Sequence, residues 1–161
     1  MKVDNHEELL AESKRLMEKS ELIIAQEFLP TSFDWRVGVL DRWPLFVCRY
    51  HMSGKHWQIV ERDDKGEVNY GKVETVPLDE CPPEVIQTAL AAANLIGDGL
   101  YGVDLKQVNR KVYVIEINDN PNINAGYEDT ILKDKLNQRV MEVFLKRIER
   151  RKEPKGGAGN P

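Results

Sequence analysis

The sequence predicts an α+β domain in which a largely antiparallel sheet packs against helices. Three features predict it. Two pairs of apolar runs, Phe33 to Met52 and Tyr101 to Asn118, alternate in the way of hairpin strands. One small-residue, apolar helical stretch lies between them. A long amphipathic stretch with a charged outer face closes the chain.

The elements follow in order. Asn5 followed by Glu8 is a capping box, and it opens a helix over about Glu7 to Lys19 with Leu9, Leu10, Leu16 and Met17 on one side. Leu22 to Phe28 (LIIAQEF) is a short apolar strand stopped by Pro30. Phe33 to Leu40 and Leu45 to Met52 pair around Asp41-Arg42-Trp43-Pro44. On the second arm Phe46, Cys48 and Tyr50 share one face, and Val47, Arg49 and His51 the other. Ser53 to Gly71 is polar and glycine-punctuated, a mobile loop by composition, and Lys72 to Leu78 is a further strand. Pro82-Pro83 starts a helix with Val85, Ile86, Leu90, Ala93 and Ile96 toward the core; Gly97-Asp98-Gly99 ends it. Tyr101 to Val108 and Lys111 to Asn118 form the second hairpin, and a helix runs from Gly126 to about Arg151. Its basic end, Lys146, Arg147, Arg150 and Arg151, complements the helix dipole. Residues 1–152 are expected to be one domain and 153–161 a flexible tail.

The totals exclude several classes. A net charge of -4 gives no general attraction to nucleic acid. Two cysteines make no disulfide framework and point to a reducing, cytoplasmic setting. The charged N-terminus has no apolar centre of the signal-peptide kind, and the longest small-apolar run, Ala89 to Gly97, is too short to span a membrane.

The chemistry concentrates in Val112 to Ile123, VYVIEINDNPNI, with Asp104 on the strand before. Strict alternation puts Val112, Val114, Glu116 and Asn118 on one face, with Glu116 and Asn118 roughly 7 Å apart. Asp119-Asn120-Pro121-Asn122 cannot continue a central strand. Oxygen donors at a strand end, beside a further Asp, suit a hard divalent cation that also takes substrate phosphates. Register tests this. A two-residue turn at Asn109-Arg110 would place Asp104 opposite Ile115, on the wrong face; Asp104 joins Glu116 only through an odd loop or a bulge. A calcium loop fails because positions six and twelve lack Gly and Glu from either start, Asn118 or Asp119. Zinc at Cys48, His51 and His56 fails because Cys48 and His51 point to opposite faces.

The run IIAQEFLP, then FDWRVGVLDRWPLFVCRY, then LIGDGLYGVDL, then VYVIEINDNPNI resembles the C-terminal part of the ATP-grasp fold in RimK-like and glutathione-synthetase-like carboxylate–amine ligases, over about Val3 to Ile148. The resemblance implies that Asp104, Glu116 and Asn118 hold one or two Mg2+ or Mn2+ ions on the phosphates of ATP. It implies that Gln26, Glu27 and Phe28 form the hinge against adenine, with Asp34 near the ribose or phosphates. Arg49 would face the transferred phosphate, Arg36 would orient the acidic groups or the substrate, and Asn120 would order the loop. For Asp34 a turn cap, and for Arg49 a sheet-face salt bridge, are the plain alternatives.

The implied partners are a carboxylate substrate, an amine substrate and the earlier part of the same ligase. That part carries the lysine and the glycine-rich lid, and nothing like it precedes Lys2. The chain therefore reads as a portion of a longer ligase, or a truncated relative, with weak Mg-nucleotide binding and little turnover alone; self-association is left open. Two other classes compete: a non-catalytic nucleotide-binding or interaction module that keeps the fold, and a phosphotransferase. Intact Asp104, Glu116 and Asn118 count against the module, and the lack of a kinase-like catalytic loop counts against the phosphotransferase.

Overall fold

The computed structural model describes residues 1–52, 60–62, 68–70 and 72–152. It divides into two compact units, Met1–Pro30 and Thr31 onward.

The first unit holds α1, His6–Met17. Its start is built as the sequence predicts. The Asn5 side chain accepts from the Glu8 amide at 2.9 Å, and Glu8 reaches back to the Asp4 amide at 3.0 Å. Leu9, Leu10, Leu16 and Met17 are all exposed, and no residue of α1 is buried. The expected strand at Leu22 to Phe28 does not form. A strand needs a hydrogen-bonding neighbour, and no described strand pairs with this stretch; Leu22 and Ile24 stand in solvent instead.

The second unit is a five-stranded sheet with every neighbouring pair antiparallel, in the order β5-β2-β1-β6-β7. Its strands are β1 (Phe33–Leu40), β2 (Trp43–His51), β5 (Val73–Val76), β6 (Leu100–Val108) and β7 (Lys111–Asn118). The short strands β3 (Val60–Arg62) and β4 (Val68–Tyr70) pair with each other inside the stretch expected to be a loop. The rest of Ser53 to Gly71 lies outside the described residues, as does the expected tail 153–161.

The first hairpin turns tighter than expected. Leu40 pairs with Trp43, leaving Asp41-Arg42 as a two-residue turn with φ of 51° and 70°. Trp43 and Pro44 therefore belong to β2 and not to the turn.

The two faces of the sheet have different covers. Helix α2, Pro83–Ile96, lies on one, where Val85, Ala89 and Ala93 pack with Trp35, Val37, Val47, Val103 and Leu105. Val37, Val47, Val103 and Leu105 are fully buried, each contributing about 1.5–3 kcal/mol in apolar transfer. Ile96, expected on the core side, is exposed because it is the last residue of the helix. On the other face Leu40, Leu45, Phe46 and Cys48 meet Leu136, Val140 and Val143 of α3, Asp134–Lys152.

Helix α3 begins at Asp134, not at the expected Gly126. Gly126 (φ 81°) and Lys133 (φ 50°) are left-handed, so the stretch between them winds as turns. Near the C-terminal end of α3, Arg147 pairs with Asp41 at 2.6 Å and with the Asp98 carbonyl. Arg147 therefore binds loop carboxylates and a carbonyl besides complementing the dipole.

The second hairpin also closes on two residues, Asn109 and Arg110, with φ of 50° and 65°. Arginine strains the second of these positions, where glycine does not. Arg110→Gly should therefore stabilise the protein by about 0.5–1 kcal/mol, after allowing for the freer unfolded chain. Thermal melting checks this, and an unchanged or lower midpoint would contradict the turn geometry.

Candidate functional site

The site begins with one extra residue. Because Val108 pairs with Lys111, the hairpin is even, and regular pairing would set Asp104 opposite Ile115. The register shifts between Asp104 and Leu105: Leu105 faces Val114, but Asp104 faces Glu116. Ile115 is thus bulged out of β7, and Gly102 faces Asn118.

The bulge also corrects the expected face of the valines. Val112 packs with the α2 core, and Val114 stands opposite fully buried Leu105, so both lie on the α2 side along with Ile117. Glu116 and Asn118 lie on the opposite face. One residue more in β7 lets Val112 pack in the α2 core while Glu116 and Asn118 lie on the face away from it.

Asp104 is held from the adjacent strand. Arg36 lies directly across from it in β1, and Arg36 Nε and Nη2 donate to its two carboxylate oxygens at 2.7 and 2.8 Å. The guanidinium is held firmly in its charged form, chiefly by these hydrogen bonds against the cost of burial. Its other side lies over the Tyr50 ring at 4.7 Å. Two residues along, Lys106 reaches Asp34 at 2.6 Å and Thr31 at 2.7 Å, and Thr31 also donates to Asp34 at 2.7 Å. Asp34 is thus both a turn partner and one half of an ion pair. Asp34, Arg36, Asp104, Lys106, Glu116 and Asn118 therefore form one band of charge and amide across β1, β6 and β7.

Tyr50 continues the band toward α3. Its hydroxyl donates to Glu128, which is 1 % exposed and is the buried charged residue among the described residues. The second Glu128 oxygen accepts the Asn124 amide at 2.8 Å. Burial, reinforced by the Glu128 hydrogen bond, pushes the Tyr50 phenol far above its ordinary value, so it stays a donor.

Arg49 is not part of this assembly. It pairs with Trp35 and so faces the α2 side, with its guanidinium over the Trp35 and Phe33 rings at 4.8 and 5.3 Å. It approaches Glu74 at 3.6 Å, the sheet-face ion pair of the plain alternative, on the face of the sheet opposite Asp104. The His51 hydrogen bond, helped by Arg49, holds the Glu74 carboxyl below the usual range. Gln26, Glu27 and Phe28 belong to the first unit, where they are exposed and irregular and the Lys2 ammonium lies 5.1 Å from the Phe28 ring. Asn120 is exposed in the loop after β7.

Asp104, Glu116 and Asn118 suit a hard divalent cation by donor type. Glu116 and Asn118 make no side-chain hydrogen bond or ion pair among the described residues. Asp104 gives Arg36 one contact on each oxygen, and an ionised carboxylate has about four lone-pair sites, so acceptor capacity remains. Among the described residues no three His, Cys, Asp or Glu side chains gather as a metal site, so a cation here would draw on the Asn118 amide and on substrate oxygens. His56 of the zinc reading lies outside the described residues, and no described helix is long and apolar enough to cross a membrane.

Sequence reasoning missed Lys106, Tyr50, Glu128 and Gly102. Only Gly102 leaves a signal, a glycine inside a strand, which marks a close approach. A Cβ there would lie 2.8 Å from the Pro121 Cβ, so the loop after Asn118 folds back onto β6.

Known structures share this architecture. The chain matches D-alanine–D-alanine ligase from Bacillus anthracis with a TM-score of 0.66 at 14% identity, covering 91% of this chain and 51% of that one. The ATP complex of that ligase gives 0.68 at 16%, covering 92% and 51%. The ATP-grasp ligase PsnB with its minimal precursor gives 0.50 at 21%, covering 75% and 37%. The chain carries a partial ATP-grasp fold, spanning about half the length of the D-alanine–D-alanine ligase. No protein-family model and no curated protein matches the sequence.

Two outcomes follow from this geometry. Gly102→Ala should cost about 1–3 kcal/mol and displace the loop, since its methyl meets a proline that the chain holds in place. Denaturant melts and the amide shifts of residues 118–122 report both effects. Burial pushes the Cys48 and Cys81 thiols up to about 11, so little thiolate exists at pH 8. Iodoacetamide at pH 8 should leave both unmodified in the folded protein and alkylate both after unfolding; fast native labelling would contradict their burial.

Proposed function

We infer that this chain carries the metal–nucleotide part of an ATP-dependent carboxylate–amine ligase. The observation that supports this best is the in-register meeting of Asp104 with Glu116, and of Gly102 with Asn118, across a bulged hairpin. Further support comes from the shared fold of D-alanine–D-alanine ligase, one structure of which holds ATP.

In this reading the chain's own groups work by position and charge. Asp104, Glu116 and Asn118 hold a magnesium or manganese ion, which supplies neutralisation of the nucleotide's phosphate oxygens. Arg36 keeps Asp104 oriented. Lys106, now paired with Asp34, offers a second positive group on the same face. The reaction needs little covalent help. A substrate carboxylate attacks the γ-phosphate of ATP, ADP leaves, and an acyl phosphate forms. An amine then attacks the activated carbonyl, and phosphate departs. Gln26 to Phe28 would supply the adenine hinge.

One observation favours a second reading, a nucleotide-binding module without turnover: both Asp104 oxygens are already engaged by Arg36. Titration with ADP in the presence and absence of Mg2+ separates the readings from a fold kept for other ends. Magnesium-dependent shifts at Gly102, Asp104 and Asn118, lost in Glu116→Gln, are expected. Binding indifferent to chelator and to that substitution would overturn both nucleotide readings. Release of ADP and phosphate that requires acid and amine together marks the ligase; nucleotide binding with no such turnover in the chain joined to its remaining part marks the module.

A further inference from the structure

Beyond the donors themselves, the second unit contains one unbroken chain of contacts that starts at a buried carboxylate. Glu128 is 1 % exposed, yet it lies in a turn region and not in a helix or strand. Burying a carboxylate is costly unless each oxygen is paired, and each is. One oxygen accepts the Tyr50 hydroxyl. The other accepts the Asn124 amide at 2.8 Å, in the loop that follows Asn118. The Tyr50 ring lies under the Arg36 guanidinium at 4.7 Å, and Arg36 grips both oxygens of Asp104 at 2.7 and 2.8 Å.

We propose that Glu128 is a positioning residue for the cation site: through Tyr50 it fixes Arg36 and hence Asp104, and through the Asn124 amide it fixes the loop leaving Asn118. This rests on the assignment of Asp104 and Asn118 as cation ligands. Glu128 touches neither of them. It acts on both from two directions: one oxygen holds Tyr50, which lies against the Arg36 that grips Asp104, and the other holds the loop that follows Asn118. A plain packing role predicts an aliphatic side chain at so dry a place. A carboxylate there serves two hydrogen-bond donors, the Tyr50 hydroxyl and the Asn124 amide.

The test uses the full chain, 15N-labelled, with manganese ion as the probe. Broadening of the Gly102 and Asn118 amide resonances on Mn2+ titration gives a site-specific dissociation constant. The solvent-exchange rate of the Arg36 Nε proton reports whether the guanidinium is held. Glu128→Gln keeps the shape and loses the charge and one acceptor. Its dissociation constant for Mn2+ should rise about tenfold or more, and the Arg36 Nε proton should exchange faster. Tyr50→Phe, which keeps the ring under Arg36 and removes only the hydroxyl, should show the same direction. The double variant should be no worse than Glu128→Gln alone, since both cut one path. If Glu128→Gln does not fold, Tyr50→Phe carries the same two readouts. A lower melting temperature with unchanged Mn2+ affinity and Arg36 exchange would make Glu128 a structural residue only and overturn the proposal. No broadening at Gly102 and Asn118 in the unaltered chain would instead overturn the cation site itself, and the proposal with it.

Discussion

The bulge at Ile115 is the constraint on which the site depends. An antiparallel hairpin closed by two residues has no freedom of register, and regular pairing would have turned the Asp104 carboxylate away from Glu116. A single unpaired residue resolves two demands on β7. Val112 and Ile117 pack in the α2 core, and Glu116 and Asn118 lie on the other side.

Four of the six groups in the charged band are paired. Arg36 with Asp104 and Lys106 with Asp34 are side chains only 12–20 % exposed, and each is bonded at 2.6–2.8 Å. Groups so far removed from water gain from pairing and lose heavily from its rupture. The band is thus rigid where it is paired, at Asp34 and Asp104, and open where it is not, at Glu116 and Asn118. A ligand bound as proposed would meet fixed charges on one side and uncommitted oxygens on the other, an arrangement that limits reorganisation on binding.

Much of this was legible in the chain itself, for physical reasons. Periodicity and turn residues located both hairpins and α2, because alternation and helical spacing reflect which side chains must leave water. Even the need for a bulge could be read, since Asp104 and Glu116 share a face in no other even-looped register. Other features depend on partners far along the chain. Leu22 to Phe28 has strand composition, but composition supplies no hydrogen-bonding neighbour. The late start of α3 is not legible, because an apolar stripe says nothing about the left-handed Gly126 and Lys133. Glu128 could not be found at all: an acid between Tyr127 and Asp129 reads as surface until its contact with Tyr50 is known. Strand alternation from Cys48 and Tyr50 alone sets Arg49 on the aromatic side of the sheet.

The unpaired Ile115 also changes what a shortening of the chain would do. In most strands, removing one residue transposes every later side chain between the wet and dry surfaces. Here the residue removed would be the one with no partner. Val114 would still stand opposite Leu105, and Glu116 opposite Asp104. β7 therefore holds a place where length can vary without inverting the sheet, within two residues of the donor oxygens.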